Sequence, residues 1–470
     1  MARTWLRVLT TGLAVVSAGC VVPSPPAGMS ARGVAPALES SAPGVAFAEA
    51  AIPVGPSAAY AVLPTTTLAA PRPASALPPV PAAPDRPLTL DDLEQLAQAY
   101  NPILARDRAK VESARGQALQ AGLYPNPHFD TNNPEVFAGR NSTFNVGFTQ
   151  EVVVKGKLRL DVAAAEEAVR QAELTYTRNR LDLLTSVRRQ YYTVLGDRRA
   201  VETLTELARI VREAAETGKK LEKAQETSKI DTLLLQVDAQ QVAASLHQAE
   251  LNYAADRKQL AAIVGVAAVE RAEVAGDLAA RRPDFDEELV RRYAVTGSTL
   301  VKVAEAEIAR RRLLLRRAEV EPYPNVTLGP AYQFGVSPGS QQFWLTLQFP
   351  IPAWDRNQGN ILAAVANVRD AETSLRVLQN DQLNRVGEAL GKYLSARALV
   401  ERYEADILPN VQRAQKLSAE GYAKGVFDFA RYLQAQRTVV ETNRSYTDAL
   451  NSLWTAAVDL AGLLQLEHMP

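Results

Sequence analysis

The residues that could perform chemistry are few and lie far apart in the chain. There is one cysteine, Cys20, and there are three histidines, His128, His247 and His468. A single thiol excludes a disulfide framework and a zinc site built from thiolates. The scattered histidines offer little material for a histidine-based catalytic centre, and the sequence contains no evident nucleophile–base pair, phosphate loop or metal cluster. We therefore expect a protein that is not an enzyme and that needs no cofactor or bound metal.

The position of Cys20 suggests a different chemistry, the attachment of lipid. Arg3 and Arg7 precede a short, mainly apolar run at residues 8–18. A run of about a dozen residues is shorter than the ~20 needed to span a bilayer as a helix, so residues 1–19 are predicted to be a cleaved signal peptide. The placement of Cys20 resembles a bacterial lipobox, in which the cysteine becomes an acylated N-terminus. The alternative is an ordinary signal peptide that happens to contain a cysteine.

Charge and proline content separate a tether from a folded body. Lysine plus arginine and aspartate plus glutamate each total 52 among 470 residues, so the net charge is zero. A nucleic-acid partner, which would need a basic excess, is not expected. Residues 20–87 hold 15 of the 28 prolines, and proline prevents helices and sheets from propagating. We predict an extended tether over this segment, following the lipidated Cys20.

The body, from residue 88 onward, reads as a tandem repeat with a shift of about 197 residues. Both halves are predicted to contain a helix that stops at a Pro-x-Pro, then strands, then a very long helix. The residue before a proline disfavours helical geometry, which makes each stop a physical signal. We predict one repeat over residues 88–280 and the other over 281–470. Their first helices are expected at 89–123 and 285–320.

Alternating apolar and polar residues predict four strands of membrane-spanning length. The alternation runs through residues 144–154, 326–334 and 343–351, and a less regular strand falls within 127–138. Such a pattern gives one apolar and one polar face, and about ten residues suffice for a tilted transmembrane strand. Four strands cannot close a barrel alone and an open edge is not tolerated in lipid, so several copies would have to combine. A soluble sheet packed on helices is the alternative.

Three long helices with thin apolar seams are predicted. Residues 157–217 contain no proline and only one glycine, which makes a rod of about 90 Å. Residues 358–418 repeat the design with a kink at Pro409, and a last helix carries a seam from Leu433 to Leu464. The predicted seams run from Leu184 to Ala215 in the first of these helices and from Leu383 to Ile407 in the second. Their three-four spacing is typical of coiled coils. We expect antiparallel hairpins that turn near residues 217–229 and 421–426.

Several short motifs in the body match a known family. They are AGLYPNP at 121–127, NPEVFAG at 133–139, KGK at 155–157, FPIP at 349–352, DRNQG at 355–359 and AQRT at 435–438. The most specific is the strand-to-helix run Arg356, Asn357, Gln358 and Gly359. Over essentially all of residues 88–466 the chain resembles the TolC-like outer-membrane efflux factors, particularly the Czc-type branch that serves heavy-metal RND pumps.

That resemblance implies a fold that is mainly α with a small β part. Each protomer of a homotrimer would give four strands to a shared twelve-stranded transmembrane β-barrel, and the coiled-coil hairpins would form an α-barrel in the periplasm. It also implies a passive exit duct in the outer membrane of a Gram-negative-type bacterium, in contact with outer-membrane lipid. The partners would be a periplasmic membrane-fusion adaptor and an inner-membrane RND-type pump, and the favoured cargo divalent heavy-metal cations. Drug efflux, a type I secretion duct, and a lipid-anchored periplasmic scaffold without a pore remain alternatives.

The hairpin tips hold the candidate residues for the periplasmic aperture or for adaptor docking. These are Asp231 at the first tip and Gly421, Gly425 and Asp428 at the second. Threefold symmetry would turn each aspartate into a ring of three carboxylates, and such rings select cations. Alternatively, each aspartate caps the helix that follows it. The two roles are compatible.

Overall fold

Helices dominate the structure, which is a computed structural model. It describes residues 86–132, 139, 142–225, 228–279, 282–335, 339, 341–424 and 426–469. The predicted signal peptide, Cys20, Gly425 and the tether before residue 86 lie outside the described residues. Within them, the order of elements is the same in both halves of the body: two short helices, two strands and a long helical hairpin.

The elements have the following bounds. The helices are α1 (Leu90–Tyr100), α2 (Pro102–Ala121), α3 (Lys157–Lys223), α4 (Lys229–Val264), α5 (Glu287–Thr296), α6 (Thr299–Val320), α7 (Gln358–Arg402), α8 (Leu408–Ala423) and α9 (Phe429–Leu463). The strands are β1 (His128–Asn132), β2 (Thr143–Val152), β3 (Val326–Gly335) and β4 (Gln342–Gln348).

The prediction of one continuous helix at the start of each repeat is wrong, because each is broken once. The Asn101 side chain accepts a hydrogen bond from the Ile103 amide at 2.8 Å and so begins a new helix at Pro102. In the second repeat the Ser298 side chain accepts from the Leu300 amide at 3.3 Å and begins α6. Both breaks are set by a polar capping residue, a local signal that hydrophobic periodicity does not contain.

The helix predicted over residues 358–418, with a kink at Pro409, is divided just before that proline. Helix α7 ends at Arg402, a π-helical turn covers Tyr403–Ile407, and α8 begins at Leu408 with the proline in its first turn. Proline is tolerated there because the first amides of a helix have no intrahelical acceptor.

Thin apolar seams hold the long helices together. The predicted seam of α3 is buried at Leu184, Val187, Tyr191, Val194, Leu204, Ala208, Val211 and Ala215. Val201, which was predicted to belong to the same seam, is only partly buried. Helix α3 packs on α4, α6 and α9, and α7 packs on α6 and α9. Leu383, predicted to belong to the α7 seam, is instead 39% exposed, and the seam begins at Val386. Among the described helices, none is both long and apolar enough to cross a bilayer.

The four strands form one antiparallel sheet in the order β1-β2-β3-β4. Strand β2 of the first repeat pairs with β3 of the second, so the sheet joins the two repeats. In the register, Val146 lies opposite Tyr332, which lies opposite Phe343. Strands β1 and β4 are the edges, and within the described chain each pairs on one side only.

The connector between the repeats, which we call the strap (residues 272–279 and 282–286), is fastened to the helices by side-chain donors. The Tyr191 hydroxyl donates to the Ala275 carbonyl at 2.7 Å, and the Trp454 indole donates to the Leu278 carbonyl at 2.7 Å. Arg198 donates to the Val274 carbonyl at 2.8 Å and the Tyr393 hydroxyl to that of Pro283. Helices α3, α7 and α9 therefore all hold the same irregular segment.

A buried arginine joins α1, α3 and the C-terminal segment. Arg188 is only 1% exposed, and its guanidinium pairs with the Glu94 carboxylate at 2.6 Å. It also donates to the Leu466 carbonyl at 2.9 Å and to the Glu467 carbonyl. These contacts satisfy a charge that would otherwise be costly to bury.

Candidate functional site

The predicted strand-to-helix motif forms the turn from β4 into α7. Asn357 adopts left-handed geometry, with φ 61° and ψ 20°, and its Nδ2 donates to the Ala318 carbonyl at 2.8 Å. The Gln358 Oε1 accepts from the Arg356 amide at 2.8 Å. The Cβ position of Gly359 faces open space, and Arg356 is exposed. The run therefore ties the turn to the end of α6 and leaves the Arg356 side chain at the surface.

The first repeat makes the corresponding turn with different residues. Gly156 has φ 65° and ψ 25° directly before α3, and Lys155 has φ 58°. The Lys155 ammonium lies 4.5 Å from the centroid of the Tyr323 ring, and buried Lys157 pairs with Glu321 at 3.5 Å. Glycine and asparagine tolerate left-handed geometry best. Both sheet-to-helix turns thus depend on this property.

The sheet presents one apolar and one polar face, as the alternation predicts. The apolar face consists of Phe129, Phe144, Val146, Phe148, Leu328, Tyr332, Phe334, Phe343, Leu345 and Leu347. The opposite face consists mainly of Asp130, Asn145, Thr149, Glu151, Gln333, Gln342, Thr346 and Gln348, with Trp344 among them. Leu345 is 68% and Phe343 70% exposed in the protomer. An apolar surface of this size indicates contact with lipid or a partner.

The first hairpin tip places Asp231 in the first turn of α4, where its side chain is exposed. The cap of α4 is Ser228, whose side chain accepts from the Ile230 amide at 3.2 Å. The hypothesis that Asp231 caps this helix is therefore wrong. A carboxylate in a first turn still interacts favourably with the helix dipole, and it remains free to face a partner.

The second tip is closed by Gly421 and Asp428. The Gly421 carbonyl accepts from the Val426 and Phe427 amides at 2.8 and 3.2 Å. A Cβ at Gly421 would overlap the Phe427 ring, so only glycine lets this ring fold back against α8. The Asp428 carboxylate accepts from the Arg431 amide at 2.9 Å and caps α9, which confirms the capping hypothesis at this tip. Asp428 thus occupies the position of Ser228, not that of Asp231.

Replacing Asp428 by alanine should loosen the start of α9 by about 1 kcal/mol, the usual contribution of an N-cap. Asp231→Ala is the matched control, because its carboxylate makes no cap. Hydrogen exchange read on peptides near residues 428–436 and 229–237 should show faster exchange only for the Asp428 variant. Equal exchange in the two variants would contradict the assignment of the cap.

One contact between the hairpins was not predicted from the sequence. The Arg437 guanidinium of α9 pairs with the Asp238 carboxylate of α4, and the two side chains are 26% and 33% exposed. Arg437 belongs to the AQRT motif, which was the available signal, but its partner lies 199 positions away. This ion pair lies about two turns from the start of each helix and connects the two tips.

A pair of carboxyl groups faces each other between α3 and α4. Burial, and then the adjacent Asp256 carboxyl, raise the pKa of Asp197 to about 7. The Gln190 amide donates to the Asp256 Oδ1 at 2.9 Å and to its carbonyl at 3.1 Å. The Asp197 carboxyl is thus protonated in the fold at a pH where an aspartate of the unfolded chain is ionised.

Stability should therefore fall as the pH rises from about 4 to about 7, because the folded protein retains a proton there that the unfolded chain has released. Asp197→Asn should flatten this slope and raise the free energy of unfolding at pH 8 by about 2 kcal/mol, after allowance for partial exposure. Thermal unfolding of the detergent-solubilised protein between pH 5 and 8 measures the effect. Asp231→Asn, a change at an exposed carboxylate, should leave the slope as it is. If stability falls with pH as steeply in the Asp197 variant as in the wild type, the assignment of the raised pKa to Asp197 is contradicted.

No group of three or more His, Cys, Asp or Glu side chains in the described part of the chain is placed to hold a metal ion. His247 lies on α4 with its Nδ1 3.6 Å from the Glu250 carboxylate, and both are exposed. The features that stand out are the two-faced sheet, its turns into the helices and the two tips.

Comparison with known proteins agrees with this arrangement. Residues 93–266 and 294–464 match the family model described as outer membrane efflux protein. The cobalt-zinc-cadmium resistance protein CzcC of Cupriavidus metallidurans is 25% identical over 379 residues, which are 80% of this chain and 90% of that protein.

Solved structures with the same fold include two of bacterial membrane proteins. A membrane protein from Pseudomonas aeruginosa matches with a TM-score of 0.69 and 19% identity, over 80% of this chain and 92% of that one. The CmeC outer membrane channel of Campylobacter jejuni matches with a TM-score of 0.67 and 16% identity, over 81% of this chain and 87% of that one. At such identities the likeness concerns the fold, and it confirms the TolC-like fold predicted from the sequence.

Proposed function

The chain belongs to the outer membrane efflux protein family, and on that basis we propose that it forms the outer-membrane exit duct of a tripartite efflux system. Substrate would be delivered by an inner-membrane RND-type pump through a periplasmic membrane-fusion adaptor. The protein is a channel component and not an enzyme, so the energy for transport would come from the pump.

The open sheet supports this proposal best. Strands β1 and β4 are both edges, and all residues of β4 are exposed. An unpaired edge cannot persist in hydrocarbon, where every backbone polar group needs a partner. Pairing β4 of one copy with β1 of the next removes all edges once the ring closes. Three copies would give twelve strands, with the apolar face toward lipid and the polar face toward the lumen.

Divalent heavy-metal cations are the favoured cargo. The support is the likeness to a relative whose name specifies cobalt, zinc and cadmium resistance. Drug efflux and type I secretion through the same duct are the alternatives. The metal content of cells that lack the protein distinguishes metal efflux from them. A lipid-anchored scaffold without a pore would leave the two-faced sheet without a role.

The tips are proposed as the aperture or adaptor-docking region. Asp231 is the better candidate for a carboxylate ring, because the Asp428 carboxylate is engaged in capping α9. Gly421 would act indirectly by setting the shape of the second tip, and Gly425, which lies outside the described residues, remains a candidate from the sequence. Charge reversal by Asp231→Lys should lower cation preference in bilayer recordings. Unchanged selectivity would remove Asp231 from the aperture.

Acylation of Cys20 is proposed to anchor the N-terminus, with residues 20–87 as the tether. Native mass spectrometry of the protein extracted in mild detergent tests this together with the oligomeric state. A trimer whose subunits begin at an acylated Cys20 would support both duct and anchor. A soluble monomer or dimer without lipid mass would contradict both the duct and the lipid anchor.

The cargo is tested in a strain that lacks this protein. Deletion should raise the cellular content of zinc, cobalt or cadmium during challenge with each salt, and the full chain supplied on a plasmid should restore export. A strain lacking the inner-membrane pump serves as the control, because restoration should then fail. Normal metal content together with increased sensitivity to drugs would replace the metal assignment by drug efflux.

A further inference from the structure

The second hairpin is interrupted where the first hairpin is continuous. Helix α3 runs from Lys157 to Lys223 without a break, whereas α7 and α8 are separated by the π-helical turn at Tyr403–Ile407, which we call the π-turn. There the Leu408 amide donates to the Tyr403 carbonyl, five residues earlier and not four as in an α-helix. Pro409 follows and has no amide to donate to the preceding turn. Single π-turns are sites of bending and are frequent at functional sites.

Packing against the rest of the protomer changes at the π-turn. On the side toward the sheet, α7 is buried at Val386, Tyr393 and Val400. On the side toward the tip, Ser418 is the one buried side chain among the described residues of α8, and Leu417 is 64% exposed. Helix α8 packs mainly against α9. The tip half of the hairpin therefore has little apolar contact that would resist bending.

Helix α9 is weakened at the same level. The centroid of the Tyr446 ring lies 6.0 Å from that of the Tyr403 ring, which places this part of α9 beside the π-turn. The next residue, Thr447, donates its hydroxyl to the Asn443 carbonyl at 2.9 Å. A threonine hydroxyl that competes for the carbonyl four residues earlier slightly destabilises a helix and often bends it. Both helices of the second hairpin can therefore bend at one level.

A charged contact from the strap closes across this level. The Glu404 carboxylate of the π-turn accepts hydrogen bonds from the Arg282 guanidinium of the strap and from the Tyr446 hydroxyl of α9, the latter at 2.7 Å. We call these three residues the strap lock. The hydrogen bond from Arg282 lowers the pKa of Glu404, so the carboxylate stays charged at neutral pH. Charge-assisted hydrogen bonds are roughly twice as strong as neutral ones.

Arg282 is held in place without the help of the π-turn. The residues that follow it are fastened to α7 on the well-packed side. The Tyr393 hydroxyl donates to the Pro283 carbonyl, and the Arg397 guanidinium pairs with the Asp284 carboxylate at 2.7 Å. The strap lock therefore connects a fixed part of the protomer to the part that can bend.

We propose that the π-turn is a hinge of the second hairpin and that the strap regulates this hinge through the strap lock. With the lock closed, the hairpin keeps one direction. With the lock broken, α8 and the adjacent part of α9 bend about the π-turn. The connector between the repeats thus controls the mobility of a tip that lies about 26 Å further along the helix, at Gly421. The hinge belongs to the single protomer, and only its effect on conduction rests on the proposed function.

The first test is hydrogen exchange of the full chain in detergent. The Arg282 and Glu404 side chains are 24% and 36% exposed, so the expected effect is moderate. Glu404→Gln should speed exchange in peptides of residues 408–420 about fivefold, the factor that corresponds to about 1 kcal/mol. Peptides of residues 386–400 should exchange as in the wild type.

Asp406→Asn is the matched control for this measurement. Asp406 lies in the same turn but pairs with Arg402 of its own helix at 3.1 Å, and both side chains are exposed. Exchange in this variant should equal that of the wild type. Equal exchange over residues 408–420 in the Asp406 and Glu404 variants would overturn the lock.

The role of the strap is tested from its own side. Arg282→Gln should also speed exchange over residues 408–420. The double variant Arg282→Gln/Glu404→Gln should exchange no faster than Glu404→Gln alone, because both changes break the same contact. Additive effects would show that the two residues act separately and would overturn control of the hinge by the strap.

Conduction distinguishes the hinge from the proposed duct. In planar bilayers with KCl, Glu404→Gln should raise the frequency of transitions between conductance levels about fivefold, in line with the change in exchange. Asp406→Asn should behave as the wild type. An unchanged frequency in a conducting Glu404 variant would overturn regulation by the strap. Faster exchange in Glu404→Gln, with no conduction by the wild type or any variant, would leave the hinge standing and overturn the proposed duct.

Discussion

Leu345→Arg should abolish assembly of the protein in the outer membrane. Leu345 lies at the middle of β4 on the apolar face and is 68% exposed in the protomer. A lipid-facing arginine near the bilayer midplane costs about 2–4 kcal/mol. The cost would be incurred once per subunit, so it is tripled in a trimer. The measurement is the amount of trimer recovered from outer-membrane fractions.

Thr346→Arg provides the control, since it adds the same side chain one position further along the strand. Alternation turns this residue to the polar face, where an arginine stays hydrated. The Thr346 variant should therefore reach the membrane as a trimer. The two variants are compared for the amount of trimer recovered and not for conductance. Equal loss in both variants would indicate a general defect of the edge strand and contradict the assignment of the faces.

Arg188→Leu should cost about 3–5 kcal/mol in the free energy of unfolding. The substitution leaves the Glu94 carboxylate buried without its partner, and it also removes the donors to the Leu466 and Glu467 carbonyls. Denaturant titration of the detergent-solubilised protein, followed by circular dichroism, measures the change.

The neighbouring arginine gives a matched control for this effect. Arg189 pairs with Asp459 at the surface, where the side chains are 47% and 39% exposed, so Arg189→Leu should change stability by less than about 1 kcal/mol. The double variant Arg188→Leu/Glu94→Leu should recover part of the loss, because no unpaired charge remains buried. A single variant no worse than Arg189→Leu would show that Arg188 is not needed to neutralise Glu94.

The sequence predicted best those elements whose structure follows from a short repeating spacing of apolar residues. Alternation identified the strands and their faces because successive side chains of a strand point to opposite sides. Three-four spacing likewise identified the seam from Leu184 to Ala215. The breaks at Asn101 and Ser298 were missed because each depends on one side chain that caps a helix, and the average pattern around them stays helical.

Contacts between distant segments could not be obtained in the same way. The pairing of β2 with β3, the Asp238–Arg437 ion pair and the facing carboxyls of Asp197 and Asp256 all depend on how the helices and strands pack. No local spacing specifies such partners. Asp231 illustrates the related error, because an aspartate near a helix start suggests a cap, whereas Ser228, three residues earlier, provides it.

The way the strap is fastened has a consequence for sequence change over time. Its bonds run from side chains on the helices, Tyr191, Arg198, Tyr393 and Trp454, to backbone carbonyls of the strap. Every amino acid supplies such a carbonyl. Apart from buried positions such as Val274 and Leu278, and from Gly276, where a Cβ would overlap the Tyr191 hydroxyl, the strap can therefore accept substitutions without loosening these attachments. Selection should instead act on the four donors, so that related chains would differ more in this connector, outside Gly276 and the ion-paired Arg282 and Asp284, than in the residues that hold it.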